Sequence, residues 1–124
     1  MKDCLFCTVP KKRIILENDL AFAIYDGFPV TALHSLIIPK RHTVDYFSLT
    51  EKELLSCDSL LRNLKEIIQN EDDLVKGFNI GMNAGDVAGQ SIFHCHIHLI
   101  PRRQGDVPNP RGGVRNIIPG KGDY

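Results

Sequence analysis

The sequence predicts an α+β domain in which one long helix packs on an antiparallel sheet. Short apolar segments rich in β-formers occupy the region before residue 40. One stretch of helical periodicity follows, from Ser48 to Asn70, and two further apolar segments after it are joined by a glycine-rich loop. At 124 residues the chain is expected to form a single domain, with residues 1–104 as its core. Residues 105–124 are then a tail docked on that core or on a partner.

Taken in order, RIILEN (13–18) and LAFAIYD (20–26) read as strands, with Asn18-Asp19 as a tight turn between them. GFPVTALH (27–34) carries Gly, Pro and Thr and reads as a loop. SLIIPK (35–40) is an apolar strand that Pro39 stops. Thr50 with Glu53 three residues on forms a capping box. Leu54, Leu55, Leu60, Leu61, Leu64, Ile67 and Ile68 recur at helical spacing and predict one core-facing stripe, while Asp58 and Arg62 make an exposed i,i+4 pair. FNIGMN (78–83) returns to strand, NAGDVAGQS (83–91) is the glycine-rich loop, and HCHIHLIPR (94–102) is the last strand.

Fifteen basic and fifteen acidic residues cancel, so no global field draws the chain to nucleic acid or to a membrane. Any preference for anions must come from local groups. Apolar runs fall far short of the ~18 residues of a membrane span, and MKDCLFC has no apolar signal region. The expectation is a soluble cytoplasmic protein whose Cys4, Cys7, Cys57 and Cys95 are thiols or metal ligands rather than disulfides.

Three of the five histidines stand at alternate positions, His94, His96 and His98. On a strand they share one face, about 7 Å apart from a rise of ~3.3 Å per residue, and Cys95, Ile97 and Leu99 share the other. A lone histidine there would be an ordinary solvated residue; three in register predict chemistry. Three imidazoles suit a metal with an open position for water. They equally suit a histidine nucleophile whose neighbours bind a phosphate. Gly85 and Gly89, with Asn83, Gln90 and Ser91, can offer amide and side-chain donors to an anion, which favours phosphate chemistry.

NAGDVAGQSIFHCHIHLIPR resembles the signature of the histidine triad (HIT) family, His-φ-His-φ-His-φ-φ with φ apolar, and every triad position fits. YDGFPV (25–30), HSLIIPKRH (34–42) and CLFC (4–7) extend the similarity over residues 4–104. The resemblance implies a five-stranded antiparallel sheet with a long helix and a shorter one, paired as a homodimer. It implies a nucleotide hydrolase or transferase in which His96 attacks an α-phosphate and water then cleaves the nucleotidyl-imidazole. His98 would contact that phosphate, with Asn83, Gly89, Gln90 and Ser91 around the phosphate or leaving group. Asp26 falls where the family places an acid on the ribose hydroxyls, and is equally placed to cap the turn before Gly27. His34 matches a fourth family histidine near the triad.

Cys4 and Cys7 have the spacing of a zinc half-site. A redox pair is the alternative, but residues 1–10 lack the strand such a site follows. In cysteine-bearing relatives the first triad histidine and a histidine placed like His42 bind structural zinc, which implies Cys4, Cys7, His42 and His94 here. His94 would then hold metal while His96 and His98 handle phosphate. The tail resembles the GD…NPRGGVR…IP endings of microbial members described as dinucleoside-polyphosphate hydrolases. Arg111 and Arg115 are candidates for the polyphosphate, or surface arginines at a dimer contact. Dinucleoside polyphosphates are the leading substrate class and nucleoside phosphoramidates the alternative. A zinc-stabilised nucleotide-binding or interaction protein with incidental turnover is the non-enzymatic reading.

Overall fold

The structure is a computed structural model that describes residues 3–124. Its elements are β1 (Ile14–Glu17), β2 (Ala21–Tyr25), β3 (Ser35–Pro39), α1 (Glu51–Glu71), β4 (Val75–Gly81) and β5 (Ile97–Arg103). All pairings are antiparallel, and the sheet runs β1-β2-β3-β5-β4. The last strand in sequence is thus inserted between β3 and β4, which puts the histidine-bearing segment near the middle of the sheet. His98 lies between Leu36 on β3 and Gly81 on β4, so its paired position on β4 carries no side chain.

Local chemistry explains the frame. Asn18 closes the β1–β2 turn by accepting from the Leu20 and Ala21 amides and donates to the Ser56 carbonyl, tying that hairpin to α1. The Thr50–Glu53 capping box starts α1. Glu53 does more than cap. It is buried, and Arg41 grips both its oxygens at 3.0 and 2.7 Å. The guanidinium beside it holds the Glu53 carboxyl down at about 2.

Cys57, Leu60, Leu64 and Ile68 of α1 pack on Ala21, Ala23, Ile37, Ile97 and Leu99. On the opposite sheet face Phe22, Ile24, Leu36 and Ile38 are covered by Phe6, with Cys4, Val9 and Ile92 beside them. Burial on both faces explains why β2 and β3 read as unbroken apolar runs. Burial pushes the Cys57 and Cys95 thiols up to about 11 and about 12, as suits two inert core thiols.

The helical stripe is narrower than the leucine spacing predicts: Leu55 is 65% exposed. It belongs instead to a groove with Tyr46, Leu54, Leu61 and Ile80. β4 begins at Val75 rather than Phe78. The shorter helical element takes the form of 3₁₀ turns, at Lys11–Arg13, Tyr46–Ser48, Asp86–Ala88 and Gly113–Ile117. β5 begins only at Ile97, so His94 and His96 lie on the bent segment that leads into it, where the Cys95 amide bonds to the Thr43 carbonyl. The alternation survives there: Cys95, Ile97 and Leu99 are buried toward the core.

Candidate active site

Each histidine of the row meets different neighbours. His94 is fully buried, and one ring nitrogen, Nε2, lies 2.8 Å from the Pro39 carbonyl oxygen. A carbonyl only accepts, so Nε2 carries the hydrogen and Nδ1 keeps its lone pair. That lone pair faces Cys4 Sγ at 3.3 Å and Cys7 Sγ at 3.5 Å, and Cys7 Sγ is 3.3 Å from His42 Nδ1. The four atoms lie within 4.8 Å of one another. Tetrahedral zinc needs ligand atoms about 3.3–3.8 Å apart, given bonds of about 2.0–2.3 Å, so two thiols and two imidazole lone pairs at these distances fit it. The Cys7 amide on the Cys4 carbonyl closes the turn that brings the thiols together.

His96 Nδ1 is 2.8 Å from the carbonyl oxygen of His94, so Nδ1 donates and Nε2 holds the free lone pair. The Phe6 ring packs against it edge-on at 4.9 Å between centroids, and the His98 ring lies at 5.3 Å. His98 is set from the other side. The Val30 amide donates to His34 Nδ1 at 3.1 Å, which leaves the hydrogen on His34 Nε2, 2.9 Å from His98 Nδ1. His98 Nδ1 therefore accepts and its Nε2 is an N–H donor. Burial, then the neighbouring His96 and His34, push His98 down to about 4, and burial also lowers His34. Both rings are neutral at pH 7.

Asp26 Oδ2 lies 3.5 Å from His34 Nε2 and 4.0 Å from His98 Nδ1, while Oδ1 accepts from the Phe28 amide at 2.8 Å. Asp26, His34 and His98 also bring three ligand-type atoms close together. The Val30 amide argues against a metal there, because it fixes a hydrogen on the His34 nitrogen that would have to ligate. Asp26, His34, His96 and His98 share one cleft of about 320 Å³ with Asn83, Gly89 and Ser91. Phe6 and Phe28 also line it, and sequence reasoning assigned neither to the site. Phe6 carried a usable signal, an aromatic between two candidate metal ligands; the Val30 amide, a backbone group, carried none.

Three expectations are corrected by the geometry. Gln90 does not face the cleft: it is buried, accepts from the Gly85 amide and donates to the Val44 and Ile92 carbonyls. The Ala88, Gly89 and Gln90 amides bond within the loop, to Gly85, Asp86 and Gly85 respectively, so they hold its turn rather than greet an anion. Gly89, at φ +95°, ends that turn in the left-handed region. Finally, Arg111 and Arg115 do not point at the triad. They donate to the Tyr124 and Lys121 carbonyls and sit 5.0 and 4.7 Å from the Tyr124 ring centre.

A sheet whose inserted strand is entered through three differently committed histidines, behind a thiol–imidazole pocket, is the layout of a histidine triad protein. Residues 8–105 match the HIT domain model, and the chain belongs to that family. An uncharacterized 16.1 kDa HIT-like protein of Mycoplasma pneumoniae is 38% identical over 104 residues, covering 81% of this chain and 72% of that one. The adenylylsulfatase HINT3 of Arabidopsis thaliana is 35% identical over 111 residues, covering 84% of this chain and 54% of its own. The crystal structure of a zinc-bound histidine triad family protein from Mycobacterium smegmatis superposes with a TM-score of 0.76 at 31% identity, covering 85% and 78% of the two chains. Among the described residues no helix is long and apolar enough to cross a membrane.

Proposed function

We propose that this protein is a nucleotide hydrolase or transferase that works at an α-phosphate through a covalent nucleotidyl-His96, with dinucleoside polyphosphates as substrates. The observation that carries this is the His96 tautomer: the His94 carbonyl holds Nδ1–H, and the Nε2 lone pair lies in the cleft beside an N–H donor on His98. In the first step Nε2 bonds to phosphorus and the bond to the leaving phosphate oxygen breaks. The leaving nucleotide departs as an anion and needs no proton. The new imidazolium keeps its Nδ1–H on the His94 carbonyl, and His98 Nε2–H donates to a non-bridging oxygen as charge shifts there. Water then attacks phosphorus, His96 leaves as neutral imidazole, and the water's proton passes to solvent.

In this reading Ser91 and Asn83 contact the phosphate or leaving group, and Gly89 and Gln90 shape the loop that carries Ser91. Asp26, steadied by the Phe28 amide, accepts from ribose hydroxyls, and His34 positions His98. Zinc on Cys4, Cys7, His42 and His94 is structural: it joins the N-terminal segment to the approach of β5 and supplies no chemistry at phosphorus. A second copy of the chain pairs along the open edge of β4 and the apolar groove at Leu54, Leu55 and Ile80. An unpaired edge beside exposed apolar residues favours such burial.

A small leaving group, amine or sulfate, is the second reading, favoured by the 35% identity to a plant adenylylsulfatase. A panel of dinucleoside polyphosphates, adenylyl sulfate and nucleoside phosphoramidates, scored by products, separates the two. Preferred release of a nucleoside monophosphate from dinucleoside polyphosphates supports the first. Binding without turnover of any of them would sink both.

A further inference from the structure

The turn that carries the two N-terminal thiols also carries a wall of the triad cleft. Phe6 stands between Cys4 and Cys7, is buried, and packs edge-on against His96 at 4.9 Å and His94 at 6.1 Å between ring centres. The same ring lines the cleft with His98 and Ser91. Whatever moves the Cys4–Cys7 turn therefore moves a surface of the site.

That turn is shaped for a sulfur–sulfur bond. The Cys7 amide donates to the Cys4 carbonyl at 3.2 Å, and the Thr8 hydroxyl donates to the same oxygen at 3.0 Å. A turn closed from i to i+3 holds its end Cα atoms within about 7 Å, and disulfides bridge Cα atoms about 4.4–6.8 Å apart. Both sulfurs face His94 Nδ1, at 3.3 and 3.5 Å, and lie within 4.8 Å of each other. Both residues are half-buried, within reach of a small oxidant, and His42 beside them is exposed. Cys57 and Cys95 are sealed in the core at 1% and 2% exposure. Of the four cysteines, only Cys4 and Cys7 combine a neighbouring sulfur with solvent access.

We propose that Cys4 and Cys7 are a reversible oxidation site that governs the triad cleft, with a peroxide as the oxidant. One thiolate attacks a peroxide oxygen, the O–O bond breaks, hydroxide leaves, and a sulfenic acid forms on that sulfur. The other thiolate displaces the sulfenic oxygen, the S–S bond closes, and a second hydroxide leaves. Two electrons pass from the sulfur pair to the peroxide, and solvent protons turn both hydroxides into water. The joined sulfurs no longer offer charge to a cation, and His42 and His94 alone supply two of the four ligands a closed zinc site needs. His94 Nδ1, buried, then faces neither a metal nor an S–H, and a buried acceptor without a donor is unfavourable. His94 relaxes, and its carbonyl is the group that fixes the Nδ1–H of His96. Phe6 and that carbonyl together carry the sulfur chemistry to the reactive imidazole. Loss of zinc rests on the four-ligand reading above; the disulfide does not.

The test treats the zinc-loaded full chain with millimolar hydrogen peroxide and follows it with a zinc-sensing dye, peptide mass mapping and the ring signals of His96. A Cys4–Cys7 disulfide, lighter by two hydrogens, should form with release of about one zinc per chain. The His96 Nδ1–H signal should shift, Cys57 and Cys95 should remain thiols, and dithiothreitol with added zinc should reverse every change. Cys7→His keeps four zinc-binding groups but cannot close the bond, so it should release zinc about tenfold more slowly or less. Cys7→Asp serves in its place if the imidazole does not load. Thiols that survive the peroxide, oxidation of Cys57 or Cys95 in their stead, or sulfinic acid that dithiothreitol does not reverse would each overturn the proposal. So would a disulfide that leaves the His96 signal in place, or equal zinc release from wild type and Cys7→His. A wild-type chain that takes up no zinc removes the four-ligand reading alone, because the disulfide, its reversal and the His96 signal are read on the metal-free chain as well.

Discussion

Replacing His96 by Gly removes the one row nitrogen whose lone pair is uncommitted, and the structure sets what remains. His98 keeps its tautomer through His34, Ser91 and Asn83 still line the cleft, and the buried side chains of Cys95, Ile97 and Leu99 are untouched. Folding should therefore survive, at a backbone cost of up to about 1 kcal/mol for the new glycine. Turnover should fall by about 10⁴-fold or more, or ~5.5 kcal/mol of barrier at ~1.4 kcal/mol per tenfold, the scale of deleting a covalent nucleophile. The lost ring leaves a slot between Phe6, at 4.9 Å, and His98, at 5.3 Å, with the His94 carbonyl free at its end. Free imidazole fits that slot and finds the same acceptor, so millimolar imidazole should restore part of the rate in His96→Gly but not in a bulkier His96→Leu. Quenched-flow with wild-type protein should trap an acid-labile nucleotidyl adduct on residue 96. A chiral α-phosphorothioate should be hydrolysed with net retention, from two displacements. Inversion with no trapped adduct, or a His96→Gly enzyme within tenfold of wild type, would refute the assignment.

Purified protein should carry about one zinc per chain by elemental analysis, and Cys4→Ser should lower the melting temperature by about 10 °C or more, since the ligand set staples the N-terminal segment to the sheet; a metal-free protein of unchanged stability would remove the zinc site. Glu53→Gln should cost about 3 kcal/mol at pH 7 by breaking the Arg41 clamp. Because Glu53 is held down at about 2, its contribution is complete above pH 4.5 and is lost as pH falls toward 2, so urea titrations of the variant should lack that slope. His98 acts in the same direction over a higher window, with the neutral rather than the charged form favoured by the fold. It is held at about 4 against 6.5 in the unfolded chain, so the unfolded chain binds the extra proton and stability drops as pH falls from 6.5 to 4, by at most about 3 kcal/mol before screening of its partly exposed ring. His98→Gln should flatten that slope, and an unchanged slope would contradict the buried neutral imidazole. Under the pairing proposed above, the protein should be a dimer in light scattering and Leu55→Glu a monomer with α1 still folded, because its side chain is outside the helix–sheet core; a monomeric wild type would remove that pairing.

What the sequence made legible was whatever depends on near neighbours along the chain. The Thr50–Glu53 capping box, the Asn18 turn and the alternation of Cys95, Ile97 and Leu99 with the histidines follow from spacing alone, because each is a contact within a few residues. Errors arose where the partner is remote. Leu55 belongs to the leucine pattern, but the buried contact line is Cys57, Leu60, Leu64 and Ile68, with Leu61 and Ile67 packed at its margin, which places Leu55 outside. Gln90 has the composition of an anion ligand, yet its amide is consumed by the Gly85 amide and by Val44, 46 residues away. Arg111 and Arg115 look like polyphosphate ligands until Tyr124, the last residue, takes both guanidiniums. The gathering of Cys4 and Cys7 with His42 and His94 spans up to 90 residues and came from family resemblance, not from local pattern.

Three identical side chains on one face invite a single explanation, a metal collecting all three, and the hydrogen bonds argue against it. His94 spends its Nε2–H on the Pro39 carbonyl and turns its lone pair to the thiols. His98 has its Nδ1 lone pair occupied by His34, whose own tautomer is dictated by the Val30 amide. Only His96 Nε2 is left open, and it is open because its other nitrogen is held by the His94 carbonyl. Collecting three lone pairs on one ion would require breaking at least the His94–Pro39 and His34–His98 bonds, both in buried surroundings where an unmade hydrogen bond costs about 1–3 kcal/mol each. In the reaction proposed above, His94 acts without touching the nucleotide: the residue anchored among the cysteines supplies the carbonyl that sets the tautomer of His96. A loosened N-terminal CxxC segment should therefore register first as a change in the orientation of the His96 ring, visible as a shift of its Nδ1–H resonance, before the sheet itself loses stability.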